Sequence, residues 1–365
     1  MAEYEIAVLD DYQGLSETKF SKLDPSKYHA TYFRDTLPPY NRPDTPQSAK
    51  DELVKRLEPF QIICTMRERT PFPGDLIARL PNLQLLLTTG VRNAALDLPA
   101  LQARGIPVAG SADSASRHAS SGGAKAAGTD STTQHCVALI LALVRNIARD
   151  DAEVKSGGWQ TGLATGLSGK TLGVVGLGRL GVTTARIMSV AFGMRVVAWS
   201  SNLTQEVADD RARGAGLPVE GADGEKTFRV VSREELFGTA DVVTMHLVLS
   251  DRSRGLVTAR DLSRMKPTSF LINTSRGPLI VEKDLLETVK AGRIAGVALD
   301  VFDREPLPAD SEWRSQEWGK NGTSRVLLTP HMGYVEADAL GSWYQQQVDN
   351  IERWVRGEAL QNVLA

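Results

Sequence analysis

The chain has 365 residues, carries 42 Lys and Arg against 44 Asp and Glu for a net charge of −2, and is 42% hydrophobic. That length exceeds what a single core serves, so two domains are expected. The near-neutral charge leaves no electrostatic footprint for nucleic acid or an anionic membrane, and the longest apolar run, 137–144, is far short of a bilayer span.

Strand-like runs at 5–9, 29–33, 61–66, 83–88 and 106–109 alternate with amphipathic stretches at 49–57 and 76–80. Such alternation argues for a parallel sheet covered by helices. Cys64 lies in one of these runs and Cys136 in the later apolar helix, so both read as buried thiols of a reducing compartment. The acidic start MAEYEIAVLDD lacks a secretory pattern, which makes the cytoplasm the expected location. Residues 34–48, rich in proline and polar groups, read as a loop.

Residues 111–130, SADSASRHASSGGAKAAGTD, show no apolar period and read as a flexible connector. An apolar helix is expected over 132–149, capped by Ser131 or Thr132 and buried on several sides by its own domain or by another subunit. A second strand series follows at 171–175, 195–200, 229–231, 241–247, 269–274, 295–301 and 326–329, mostly separated by helical segments. It predicts an open doubly wound sheet. The last segment, 336–357, is amphipathic.

LGVVGLGRLG at 172–181 places Gly176, Gly178 and Gly181 between an apolar strand and a helix start, with Arg179 and Leu180 inside the turn. In a dinucleotide-binding turn the first glycine permits the tight bend and the second lets backbone amides approach a pyrophosphate. The third lets helix pack on strand. The next strand, RVVAWS, ends without the acid that would accept the ribose hydroxyls of NAD. Ser200, Ser201 and Asn202 stand there instead, and neutral donors tolerate a 2′-phosphate that a carboxylate would repel. No arginine is adjacent in sequence; Arg211 and Arg213 lie further along. The cofactor reading is therefore NADP(H) or NAD(H), leaning to NADP(H), with dual use as the competitor.

Three later segments each put a reactive side chain just past an apolar run: Arg276 in NTSRGPLI (273–280), Glu305 in DVFDREPLP (300–308) and His331 in LLTPHMGY (327–334). A guanidinium, a carboxylate and an imidazole behind a dinucleotide turn are the parts a hydride-transfer enzyme needs: a cation to hold substrate, an acid to deliver a proton, and a hydride donor. Arginine supplies a permanently charged planar fork. Histidine exchanges protons near neutrality, and a carboxylate on its second nitrogen orients it.

Taken in this order, the motifs closely resemble the D-isomer-specific 2-hydroxyacid dehydrogenase family over about residues 60–356. The resemblance implies two doubly wound parallel-sheet α/β domains. A flavodoxin-like substrate domain would be formed by 1–115 and 334–365, and a Rossmann cofactor domain by 116–333, with the chemistry in the cleft between them. It assigns Arg276 to the substrate, His331 to general acid/base work and Glu305 to pairing with His331. Asp300 would accept from the nicotinamide amide, and Leu247, Thr274 and Gly333 would contact the cofactor, the last two through backbone groups. The turn containing Gly90 and Val91 would hold the substrate carboxylate. Arg67, at a strand end, either faces the substrate or makes a surface salt bridge; Asn93 reads equally as a helix cap. The helix at 132–149 matches one at a two-fold interface, implying a homodimer.

The competing class is an NAD(H)-sensing, partner-binding protein like the corepressors that resemble this family. A formate- or phosphite-type dehydrogenase is disfavoured because those have glutamine where Glu305 stands. The segment 311–324, SEWRSQEWGKNGTS, is an enlarged loop; Trp313 and Trp318 would enlarge an aromatic pocket if folded inward, or decorate the surface if not.

Overall fold

The structure is a computed structural model describing residues 3–112, 130–160 and 162–365. The expected connector lies, over 113–129, outside the described residues, as does the expected boundary at 115/116. The chain forms two compact units, Met1–Ala127 with Val335–Ala365, and Gly128–Tyr334.

The first unit carries strands β1 (Tyr4–Val8), β2 (Tyr28–Tyr32), β3 (Ile62–Thr65), β4 (Leu85–Thr89) and β5 (Val108–Ser111) in the order β2-β1-β3-β4-β5. Every pairing is parallel, which gives the flavodoxin-like order. β3, β4 and β5 are buried throughout, as strands covered on both faces must be. The helices are α1 (Glu17–Phe20), α2 (Gln47–Leu57), α3 (Gly74–Ala78) and α4 (Leu98–Ala103). Within this unit the C-terminal helix Ala337–Val355 buries Leu340, Trp343, Tyr344, Val348 and Ile351. It is pinned by Tyr344 Oη, which donates to Asp11 Oδ1 at 3.2 Å, and by Ser111 Oγ, which donates to the Trp343 carbonyl at 3.1 Å.

The second unit carries β6 (Thr171–Val175), β7 (Arg195–Trp199), β8 (Phe228–Val230), β9 (Val242–Met245), β10 (Phe270–Asn273), β11 (Gly296–Leu299) and β12 (Arg325–Leu328). Their order is β12-β11-β10-β9-β6-β7-β8, again all parallel. The strand order reverses between β6 and β9, the switch point at which doubly wound sheets bind ligands. Register aligns Asn273 with Leu299 and Leu299 with Leu328, so the segments carrying Arg276, Asp300 and His331 leave one edge of the sheet. The described helices are α5 (Ser131–Val144), α6 (Ile147–Lys155), α7 (Arg179–Phe192), α8 (Gln205–Gly214), α9 (Arg233–Thr239), α10 (Ala259–Leu262) and α11 (Glu282–Lys290), and the C-terminal helix Ala337–Val355 is α12.

Three expectations are corrected. The single helix over 132–149 is two, because Asn146 takes a left-handed conformation (φ 60°) and donates its Nδ2 to the Leu163 carbonyl at 3.2 Å. Its cap is Asp130, whose carboxylate accepts from Thr133 N at 3.0 Å, rather than Ser131 or Thr132. Trp313 and Trp318 neither enlarge a pocket nor decorate the surface. Trp313 is 2% exposed in the core of the second unit and donates Nε1 to Glu282 Oε1 at 2.9 Å; Trp318 packs beside it and donates Nε1 to the Trp313 carbonyl at 3.0 Å. Cys64 and Cys136 are buried, and burial raises both thiol pKa values, which leaves them unreactive. No helix among the described residues is long and apolar enough to cross a membrane.

Candidate active site

The glycine turn joins β6 to α7 at the switch point. Gly176 has φ +100°, and its N–H donates to the Trp199 carbonyl at 2.8 Å, which ties the turn to the end of β7. A Cβ on Gly181 would lie 2.2 Å from the Gly176 carbonyl oxygen, so only glycine lets helix approach turn. A Cβ on Gly178 would meet nothing within 4 Å, so space lies open above the turn. No side chain caps α7, whose first intrahelical acceptor, Gly178 O, takes the Val182 N–H at 2.8 Å. Uncommitted amides of the first turn in front of open space suit a pyrophosphate. Leu180 is half-buried and Arg179 is exposed, with Nη1 donating to Asp130 Oδ2 at 3.0 Å. Leu247 packs against the turn, its Cδ2 2.9 Å from where a Gly176 Cβ would be. Beyond β7, Ser200 is half-buried while Ser201 and Asn202 are exposed.

His331 sits past β12 with φ 58°, a left-handed conformation unusual outside glycine. Asp300, wholly buried at the end of β11, holds it there. The His331 N–H donates to the Asp300 carbonyl at 2.8 Å, and the carboxylate accepts from Thr329 Oγ1 (2.6 Å), Met332 N (2.7 Å) and Gly333 N (3.0 Å). His135 Nε2, reaching from α5, lies 3.1 Å from Asp300 Oδ1 and 3.0 Å from Thr329 Oγ1. Burial alone would raise the Asp300 pKa. The hydrogen bonds from His135, Thr329 and Met332 outweigh it and hold the carboxyl below its ordinary range, so Asp300 stays charged. Among the described residues Oδ1 has three partners and Oδ2 one, Gly333, so any nicotinamide amide would find its acceptor in Oδ2.

His331 Nδ1 lies 2.5 Å from Glu305 Oε2, with both side chains mostly covered (16% and 28% exposed). Glu305 is braced in turn, since its Oε1 accepts from Phe302 N at 2.9 Å. The ring of Tyr334 stands edge-on to the imidazole at 5.4 Å. No protein group among the described residues bonds His331 Nε2, which is left for exchange with a ligand.

Arg276 is half-buried past β10. Asn273 shapes its turn by donating Nδ2 to the Arg276 carbonyl (2.9 Å) and accepting from Ser275 N (3.1 Å). Ser275 Oγ donates to the Met245 carbonyl at 2.7 Å, and Thr274 is buried between them in sequence. Gly277 packs on the backbone of Phe302 and Asp303 so closely that a Cβ would fall 2.0 Å from Phe302 C. The structure thus brings the arginine turn against the segment that supplies Glu305.

In the first unit, Arg67 (φ 51°) closes β3. Its N–H donates to Thr89 Oγ1 at 2.9 Å and its guanidinium lies over the Trp343 ring at 5.8 Å. A Cβ on Gly90 (φ +84°) would meet Arg67 Nη1 at 2.6 Å, so this pair is brought together, while Val91 is 48% exposed. Asn93 caps no helix. It donates Nδ2 to the Arg67 carbonyl (2.6 Å) and to Thr88 Oγ1 (2.9 Å), stapling the loop to β4.

Sequence reasoning missed Asn273, His135 and His246. His246 follows β9, its Nε2 3.1 Å from Thr244 Oγ1, and burial lowers its pKa to about 4, so the ring is neutral at ordinary pH. A histidine in a strand-end segment was the available signal for His246. Nothing in sequence links His135 to Asp300 across 165 positions.

The sequence pattern described as D-isomer specific 2-hydroxyacid dehydrogenase, NAD binding domain, matches residues 137–333. The chain belongs to this family. As a D-isomer specific 2-hydroxyacid dehydrogenase it is an oxidoreductase that transfers hydride between a nicotinamide cofactor and a 2-keto acid. It is 25% identical to a hydroxypyruvate reductase of Blautia hydrogenotrophica over 84% of this chain and 86% of that one. It is 29% identical to a D-3-phosphoglycerate dehydrogenase of Methanocaldococcus jannaschii over 86% of this chain, and spans about half (53%) of that relative's length. A solved phosphoglycerate oxidoreductase from Vibrio cholerae o395 superposes with a TM-score of 0.78 at 30% identity, covering 97% of this chain and 99% of that one.

Proposed function

We propose that this dehydrogenase works as an NAD(P)H-dependent reductase of 2-keto acids yielding D-2-hydroxy acids, with His331, Glu305 and Arg276 as its working side chains. The observation that carries the reading is the 2.5 Å contact of His331 Nδ1 with Glu305 Oε2 on a turn that Asp300 holds in a left-handed conformation. Bound nicotinamide supplies hydride from C4. Glu305 fixes the imidazole through Nδ1, so His331 Nε2 faces the ligand and can hand a proton to the keto oxygen as charge develops there. In the reverse direction the same nitrogen takes that proton. Arg276 pairs the substrate carboxylate and polarises the keto group through its fork. Arg67 and the amides around Gly90 and Val91 bind the carboxylate end in this reading. Asp300 keeps its charge and positions the His331 turn.

The amides at the start of α7 would take the pyrophosphate, and Leu247, Thr274 and Gly333 would border the nicotinamide end. Neutral Ser200, Ser201 and Asn202 favour NADP(H) over NAD(H). A homodimer and a cytoplasmic setting complete the proposal. For the former, Ile147 and Val154 on α6, with Trp159 and Leu163 just after it, leave apolar side chains 56–94% exposed, a surface a second copy would cover. Sedimentation equilibrium tests it, since a Trp159→Glu, Leu163→Glu double variant should shift the protein to monomer.

Hydroxypyruvate, glyoxylate and phenylpyruvate, each offered with NADPH and NADH, test the activity. Oxidation of a reduced cofactor that depends on one of these acids is expected. Tight cofactor binding with no turnover on any keto acid would instead return the protein to a sensing role.

A further inference from the structure

We propose that Arg211 is the specificity-determining residue for the phosphorylated cofactor, its guanidinium receiving the 2′-phosphate of NADP(H). This deepens the dehydrogenase reading and rests on it. In sequence Arg211 is not adjacent to the ribose-facing strand end, lying two helical turns beyond the Thr204 cap of α8. In space it does not. Its Nη1 donates to the carbonyl of Leu177, the residue between the first two glycines of the turn. The same turn is joined to the end of β7 by the Gly176 to Trp199 hydrogen bond. Arg211 therefore stands beside the turn, next to the strand end where Ser200, Ser201 and Asn202 replace the expected acid.

Charge bookkeeping on this edge leads to the same residue. Arg213 pairs with Asp210, Arg233 with Asp261, and Lys226 with Asp209 and Glu220. Asp209 is further engaged by Gln205 Nε2, which donates to its carboxylate at 2.6 Å. Arg211, half-buried, has a backbone carbonyl as its hydrogen-bond partner and no carboxylate among the described residues. A partly desolvated guanidinium with most of its donors unspent complements a phosphate dianion, which it can grip through two oxygens. Glu206, in the first turn of α8, is exposed and is the first acidic residue after β7.

The test is calorimetric and needs no turnover. Adenosine 2′,5′-bisphosphate and 5′-AMP are titrated into the wild-type protein and into Arg211→Gln, Arg211→Lys and Glu206→Gln. Wild type should bind the bisphosphate more tightly than 5′-AMP. Arg211→Gln should weaken the bisphosphate about 10- to 100-fold, as expected for lost hydrogen bonds to a charged group, and leave 5′-AMP within about 2-fold. Arg211→Lys should retain part of the preference, and Glu206→Gln should leave both ligands within about 2-fold. Equal weakening of both ligands in Arg211→Gln would overturn the assignment, reducing Arg211 to a brace for the turn. Wild type with no preference for the bisphosphate would overturn it too. A rise in bisphosphate affinity in Glu206→Gln without a fall in Arg211→Gln would move the selectivity to Glu206 and likewise overturn it. NADH-dependent keto-acid reduction by the same preparations reports separately on the dehydrogenase reading, which survives each of these failures.

Discussion

Gly277 rests on the backbone of Phe302 so tightly that a methyl group at its Cα would occupy the position of the Phe302 carbonyl. That contact couples the turn of Arg276 to the turn of Glu305, three residues beyond Phe302. Backbone cannot yield as a flexible side chain does, so Gly277→Ala must push the two turns apart. A displacement of about 1 Å at a reacting group costs on the order of 100-fold in rate. The expected outcome is a kcat/KM for keto-acid reduction lower by at least that factor, with far-UV circular dichroism unchanged and Tm reduced by several degrees. Wild-type turnover in the variant would show that the two turns need not touch.

Glu305→Gln keeps a hydrogen-bond acceptor near His331 Nδ1 and removes the charge. Loss of a stabilising carboxylate should cut kcat about 10- to 1,000-fold and leave nicotinamide binding within about 3-fold, because Glu305 braces the imidazole and not the glycine turn. Stopped-flow binding beside steady-state rates separates the two effects.

Neutral His246 makes the second unit sensitive to acid. Its folded-state pKa, lowered to about 4, lies below its ordinary value of about 6.5. Between those values the unfolded chain binds a proton that the folded one refuses. The stability tied to the neutral ring is therefore whole above pH 6.5 and is lost as pH falls toward 4, by up to about 3 kcal/mol. His246→Gln should flatten the fall in Tm over that window.

Asp10 in the first unit carries the opposite sign. Burial pushes its carboxyl up to about 6 despite hydrogen bonds from Thr36 and Thr70. Its contribution is complete below pH 3.8 and is lost as pH rises through 6. The Tm difference between Asp10→Asn and wild type should shift in favour of the variant from pH 4 to pH 7.5. A difference independent of pH would mean that Asp10 ionises freely.

Trp313→Ala tests the enlarged loop. With the indole 2% exposed in the core, truncation should cost about 3–5 kcal/mol, read by urea unfolding. KM for hydroxypyruvate should stay within about 2-fold in the folded fraction. A large KM change would put the loop back at the substrate.

Much of this was legible beforehand because catalytic side chains in doubly wound sheets follow buried strands, and buried strands announce themselves as short apolar runs. Arg276, Glu305, His331 and the glycine turn all stand where such runs stop. What escaped depends on contacts that sequence separation hides. Asp130 looked like part of a polar connector, yet its carboxylate caps α5. Asn146 sits in a helical pattern, and only its left-handed backbone and its bond to the Leu163 carbonyl stop the helix. Trp313 and Trp318 offered no period from which to infer burial. Arg211 reaches Leu177 across 34 residues through α8, which no local motif records.

The most direct measurement is the turnover of His331→Ala with NADPH and whichever keto acid the wild type reduces best, alongside NADPH binding to the same preparation. If His331 delivers the proton, kcat falls by about 100- to 10,000-fold while the cofactor dissociation constant stays within about 3-fold. Turnover within about 3-fold of wild type would contradict it and remove the imidazole from the chemistry.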